Sequence, residues 1–186
     1  MIFMGIDQSL TGTGLTIYNG EWHYHIIETS KTKDTKSPSI DYTKRLKIIT
    51  QEILKYIKEY KVTHAAIEGM AFGSRGRVVF DLGGLSHLIR SMLIDQDIKF
   101  IVIPPTTLKK YWTGKGNANK EKMIQTTIDK GYNISITKNY GTKKNPNILF
   151  DDNVVDSHAL CCFLKDTLEN NLSIDFIDMI EYSNKD

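Results

Sequence analysis

Ile2-Phe3-Met4-Gly5-Ile6-Asp7, running on through Gln8-Ser9-Leu10-Thr11-Gly12-Thr13-Gly14 to Leu15-Thr16-Ile17-Tyr18, is the stretch on which the reading of this chain turns. Its opening is a short, mostly apolar run, too short for a helix, and reads as a buried strand ending on an acid. A Thr/Gly-rich turn then leads into a second strand. Asp7 reads either as the first residue of that turn or as a carboxylate set at a strand end to face a metal or a phosphate. A second strand with the same ending, Ala65-Ala66-Ile67-Glu68, and an acid cluster at Asp151, Asp152 and Asp156 favour the second reading. The chain looks organised to bring these acids together.

Working outward, Thr13–Tyr18 and Glu21–Thr29 flank Asn19-Gly20, a strong hairpin signal. His23 and His25 lie two apart on one face of the second arm, without further ligands nearby, and read as surface residues. Residues 30–39 form a polar loop. Leu46, Ile49, Ile53, Ile57 and Tyr60 then make one apolar stripe on a helix over Asp41–Tyr60, followed by the strand His64–Glu68. A helix between strands in this order points to an α/β sheet covered by helices.

The loop Gly69–Arg77 contains Phe72, Arg75 and Arg77, an aromatic among Arg and Gly that suits stacking on opened bases or anchoring in the core. The helix Val78–Asp95 is broadly apolar and carries Gly83-Gly84. Each glycine costs roughly 1 kcal/mol relative to Ala in a helix. Close approach of another helix across a dimer interface would offset that, as would close packing on the sheet. Ile98–Ile103 is a further buried strand, stopped by Pro104-Pro105. A short helix, the turn Gly114-Lys115-Gly116 and a helix over Asn119–Gly131 follow, with Lys109 and Lys120 flanking the turn and Lys110 and Lys115 beside it. Glycines permit close backbone approach and lysines meet phosphates. Thr137–Ile148 reads as a polar, lysine-bearing loop without periodicity. The last strong helix, Asp152–Leu168, sets Asp152, Asn153 and Asp156 on one side of its first turn, and Asp151 or Asp152 can serve as its N-cap.

Composition narrows the classes. The chain has 186 residues, 40% hydrophobic and 25% charged, which suits one ordinary domain. No apolar run approaches the roughly 18 residues of a membrane span, and the N-terminus does not read as a signal peptide. The only cysteines, Cys161 and Cys162, are adjacent in an apolar stretch and suit reduced thiols in a cytoplasm. Nine lysines against two acids between Pro104 and Ile148 stand beside nine acids against two lysines from Asp151 onward. A basic segment next to an acidic one suggests a polyanion held beside a metal. Clustered carboxylates without thiol or imidazole ligands select hard ions, Mg²⁺ or Mn²⁺.

The start Met-Gly-Ile-Asp-Gln-Ser-Leu-Thr-Gly-Thr-Gly, the strand Ala-Ile-Glu, the segment Leu-Lys-Lys-Tyr-Trp-Thr-Gly-Lys-Gly-Asn-Ala-Asn-Lys and the final Asp-Asn-Val-Val-Asp-Ser-His-Ala-Leu together resemble the RuvC-type Holliday junction resolvases. The short lysine-rich form is most similar to the phage-borne members. The resemblance spans residues 1–165 in order. It implies an RNase H-like mixed five-stranded sheet with helices on both faces, forming a nuclease domain over 1–168 with an acidic tail over 169–186. It also implies a homodimer that makes paired, Mg²⁺-dependent nicks in four-way junctions and forks in a bacterial cytoplasm.

Residue by residue, Asp7, Glu68 and Asp156 match the catalytic acids, and Lys109 and Lys120 match the lysines flanking the glycine turn. Asn153 stands where the family usually has another acid, so the resemblance leaves Asp152 or Asn153 as the remaining metal ligand. Phe72 sits one residue later than the base-contacting Phe of the family; Arg75, Arg77, Lys110 and Lys115 complete the expected DNA contacts. Two other readings remain from the residues alone. One is an RNA:DNA hybrid nuclease of the same fold. The other is an actin/sugar-kinase-like ATP binder, which also opens on Asp-x-x-x-x-Gly but needs a second, repeated half.

Overall fold

Alternation along the first strand sets the layering. In β1 (Phe3–Asp7), Met4 and Ile6 join one apolar cluster and Phe3 the other, so Asp7 shares the face of Phe3. β1 pairs antiparallel with β2 (Gly12–Tyr18), which pairs with β3 (Trp22–Glu28) across the expected Asn19-Gly20 turn. On its other side β1 pairs in parallel with β4 (His64–Glu68), and β4 with β5 (Lys99–Ile103). The computed structural model describes residues 1–31, 37–70, 77–169 and 181–182. The mixed five-stranded order is therefore β3-β2-β1-β4-β5, as the RNase H-like expectation requires.

Helices cover both faces. On one, α1 (Pro38–Tyr60) and α2 (Arg77–Asp95) bury Leu46, Ile49, Ile53, Ile57, Leu85, Ile89 and Leu93 against the sheet. α1 starts earlier than expected because Pro38 occupies its first position, where a missing N–H costs nothing. On the other face lie α3 (Pro105–Thr113) and α4 (Lys120–Asp129). α5, the helix Asp152–Leu168, lies there too and is buried along most of its circumference. It seats directly on the sheet backbone. A Cβ at Gly5 would lie 2.7 Å from the Cys161 nitrogen and closer still to the Ser157 carbonyl oxygen, and one at Gly14 would collide with the Asn153 carbonyl.

Two readings need correction. The 137–148 segment is not a plain loop: β6 (Thr137–Asn139) and β7 (Ile148–Phe150) pair antiparallel as a small hairpin. His25 is not a free surface residue. Its ring stacks on Tyr56 of α1 at 4.1 Å between centroids, and its Nε2 lies 3.2 Å from the Tyr60 hydroxyl. The two-residue β8 (Glu181–Tyr182) pairs antiparallel with β5 and adds a short sixth strand at the edge of the five-stranded sheet.

Candidate active site

Asp7 ends β1 and Glu68 ends β4, and the register Ile6↔Ile67 puts these two ends side by side. By alternation both carboxyls face α5. The seat made by Gly5 and Gly14 sets the first turns of α5 over the same spot, so Asp156 reaches the pair. Asp7 and Glu68 are hydrogen-bonded to each other. Burial, then the charges of Glu68 and Asp156, push Asp7 well above the usual carboxylate range. Burial also raises Glu68, opposed by the Asp7 hydrogen bond and by Lys109. Asp156 rises to about 7 through burial and then the neighbouring charges of Glu68 and Asp152, with Lys109 and Lys120 pulling the other way. These three acids and two lysines form one electrostatic unit.

Asp152 behaves differently. Burial would raise it, but hydrogen bonds from Lys120, Tyr140 and Lys138 outweigh that and hold it at about 2. Its Oδ2 takes Lys120, while Oδ1 accepts from the Tyr140 hydroxyl at 2.7 Å and from Lys138 at 3.2 Å. Asp151 caps the helix, accepting from the Asn153 backbone N–H at 3.0 Å. A Cβ on Gly12 would lie 3.1 Å from the Asn153 amide nitrogen, so that side chain lies along β2. Asp152 is engaged by Lys120, Tyr140 and Lys138, while its charge still acts on Asp7 and Asp156.

The lysine turn is built as its glycines suggest. Gly114 takes φ +80°, the left-handed cap of α3, and a Cβ at Gly116 would press on the Thr106 carbonyl at 3.1 Å. Asn119 caps α4 by accepting from the Lys122 N–H, and the next residue, Lys120, points back to Asp152. Lys110 and Lys115 are exposed. Phe72 and Arg75 lie outside the described residues; Arg77 opens α2 and its side chain is not among those described.

The donors suit a hard divalent cation. All are oxygens, Asp7 is buried while Glu68 and Asp156 are half-buried, and two buried oxygen atoms, Asp156 Oδ1 and Gln8 Oε1, have no hydrogen-bond partner among the described residues. As the side chains stand, no three His, Cys, Asp or Glu among the described residues are set at ligand spacing. Asp7 is turned on Glu68 and Asp152 on its lysines. Tyr140, Lys138 and Gln8 were not singled out in the sequence. Gln8 donates to the Glu68 carbonyl at 2.9 Å from the residue next to Asp7. The only sequence signal for Tyr140 is its place among turn residues, Asn139, Gly141, Asn145 and Pro146.

The family model for crossover junction endodeoxyribonuclease RuvC matches residues 3–136. The chain belongs to the RuvC family. The RuvC of Rickettsia bellii is 30% identical over 130 residues, covering 67% of this chain and 78% of the relative. That of Brachyspira hyodysenteriae is 28% identical over 126 residues, with the same coverage of 67% and 78%. Among solved structures, Thermus thermophilus RuvC superposes with a TM-score of 0.63 at 17% identity, covering 98% of this chain and all of that one. T. thermophilus RuvC in complex with Holliday junction substrate gives 0.65 at 16% identity, covering 98% and 99%. The structural likeness extends the RuvC fold through α5, beyond the end of the family match. RuvC membership implies dependence on a divalent metal.

Proposed function

We propose that this RuvC protein is a structure-selective endonuclease that cleaves Holliday junctions and related branched DNA by paired phosphodiester hydrolysis. The observation that carries the reading is the meeting of Asp7, Glu68 and Asp156 beside Lys109 and Lys120 in a chain of this family. Curated relatives bear the name crossover junction endodeoxyribonuclease, and a structural neighbour was solved with a Holliday junction. Among the described residues no helix is long and apolar enough to cross a membrane; we place the protein's work on DNA in a bacterial cytoplasm.

Asp7, Glu68 and Asp156 would hold the cations, two Mg²⁺ per site with Mn²⁺ able to substitute. Held there, they supply an activated water and a counter-charge for the leaving oxygen. Lys109 stands where it offsets the acids and stabilises charge developing on the phosphate oxygens. Lys120, engaged by Asp152, is kept at the edge of the same site. Of the two candidates for the remaining ligand, Asp152 is engaged in anchoring a lysine, and Asn153 would reach the cations on turning from β2.

Two identical sites are needed to cut two strands of matching polarity, as a C2 homodimer provides. α2 supports this: Phe80, Leu88 and Ile94 are exposed on it. At Gly84 an added Cβ would meet Tyr42 of α1 at 3.2 Å, whereas the space around Gly83 is open. The test is a substrate panel of four-way junction, fork, plain duplex and RNA:DNA hybrid with Mg²⁺. Preferential cutting of the junction is expected; preference for the hybrid would favour the other nuclease reading.

A further inference from the structure

We propose that the β6–β7 hairpin is a second DNA-contacting arm, in which Lys143 and Lys144 take the phosphates of a duplex arm while Tyr140 and Lys138 fix the hairpin to the acid that holds Lys120. It rests on the nuclease reading above and adds residues to it. The family match ends at residue 136 and the hairpin begins at Thr137, so this arm is a feature outside the matched segment.

Charge comes first. From Thr137 to Phe150 the chain has Lys138, Lys143 and Lys144 and no acid. Lys143 and Lys144 stand exposed at the tip, with no ion pair among the described residues. A polar segment so exposed would ordinarily lose much entropy on gripping a ligand. Here the tip is already ordered by its own hydrogen bonds. Asn139 Oδ1 accepts from the N–H groups of Gly141 and Asn147 at 2.9 and 3.0 Å. The Thr142 N–H donates to the Asn145 carbonyl and the Asn145 N–H returns to the Thr142 hydroxyl, both at 3.0 Å. The lysines are thus presented on a built turn. Duplex DNA, with about one charge per 1.7 Å of axis, is the polyanion such a pair fits at this place.

Position comes second. At its base the hairpin is tied to the start of α5: the Tyr140 hydroxyl donates to Asp152 Oδ1 and accepts from the Asp152 N–H at 2.8 Å, and Lys138 lies 3.2 Å from the Asp152 and 3.8 Å from the Asp151 carboxylate. Asp152 holds Lys120 with its other oxygen. The arm that would grip DNA and the lysine at the site therefore share one carboxylate. Tyr140 is a positioning residue for Lys120.

The test is junction and duplex binding across a salt series, with single-turnover cutting of the bound junction. Lys143→Ala/Lys144→Ala should weaken binding about 10- to 50-fold at ~0.1 M salt and reduce the salt slope by about two. Lys58→Ala, at the far end of α1, should leave both unchanged. Tyr140→Phe should keep the slope and slow the cut at saturating protein, a split that loss of fold would not give. A double variant that changes binding no more than Lys58→Ala overturns the arm, and an unslowed Tyr140→Phe overturns the coupling. A wild-type chain that binds duplex and junction alike counts against the junction reading, while the arm is still decided on duplex.

Discussion

Asp7 and Glu68 meet because parallel neighbours in register end together and because strand alternation turns both side chains the same way. That much was legible: each acid closes an apolar run. What no local pattern showed is which acids are free. Asp152 and Asp156 occupy the same side of one helical turn, yet one is held at about 2 by lysines and a tyrosine and the other is raised to about 7 among acids. The difference comes from Lys120 first and then from Tyr140 and Lys138, which a hairpin brings in, against burial and neighbouring acids at Asp156; sequence spacing carries no trace of the hairpin's part. A pH dependence follows. Asp156 is pushed up to about 7, and Asp7 and Glu68 are shifted in the same direction by burial, so near neutrality Asp156 is partly protonated and a cation bound there must displace that proton. Mg²⁺ affinity should therefore rise between pH 6 and 8, by about tenfold per unit for each proton displaced. Calorimetry in buffers of different ionisation enthalpy should detect proton release on binding. Equal affinity at pH 6 and 8 with no release would contradict the raised acids.

α5 illustrates how an element is placed by what its neighbours lack. Its burial was readable from an apolar run, and its acids from their spacing, but its height above the sheet depends on Gly5 and Gly14, which in the sequence look like ordinary strand and turn glycines. Gly5→Ala would force a methyl into the Ser157–Cys161 backbone, where nothing flexible can yield. We expect a loss of about 3 kcal/mol in urea unfolding, the upper end of overpacking costs, with cleavage lost as Asp156 lifts from Asp7. Gly83→Ala, with open space around it, should cost nothing and gain helix propensity. Equal stability of the two variants would refute the seat. The β6–β7 hairpin was the element least legible in sequence, since its strands are three residues each, too short for a period to register.

At the scale of the whole molecule, paired cutting needs a second copy, and α2 offers the surface for it. Phe80 is 81% exposed, with Ile94 at 59% and Leu88 at 46% on the same helix, large apolar side chains that a second copy could cover. Phe80→Glu should give a folded monomer by sedimentation that nicks single strands without pairing; an intact dimer with paired cuts would sink this interface. The central claim, that Asp7, Glu68 and Asp156 form a metal-dependent junction-cutting centre, is tested most directly by mapping nicks on all four strands of a synthetic four-way junction. Wild type and Glu68→Gln are compared, with and without Mg²⁺. The account predicts symmetric nicks on two strands of like polarity from wild type with Mg²⁺ only, and none from Glu68→Gln although it still binds the junction, since loss of an acid removes chemistry and not phosphate affinity. Cutting that persists in Glu68→Gln, or that proceeds unchanged without a divalent ion, would contradict it.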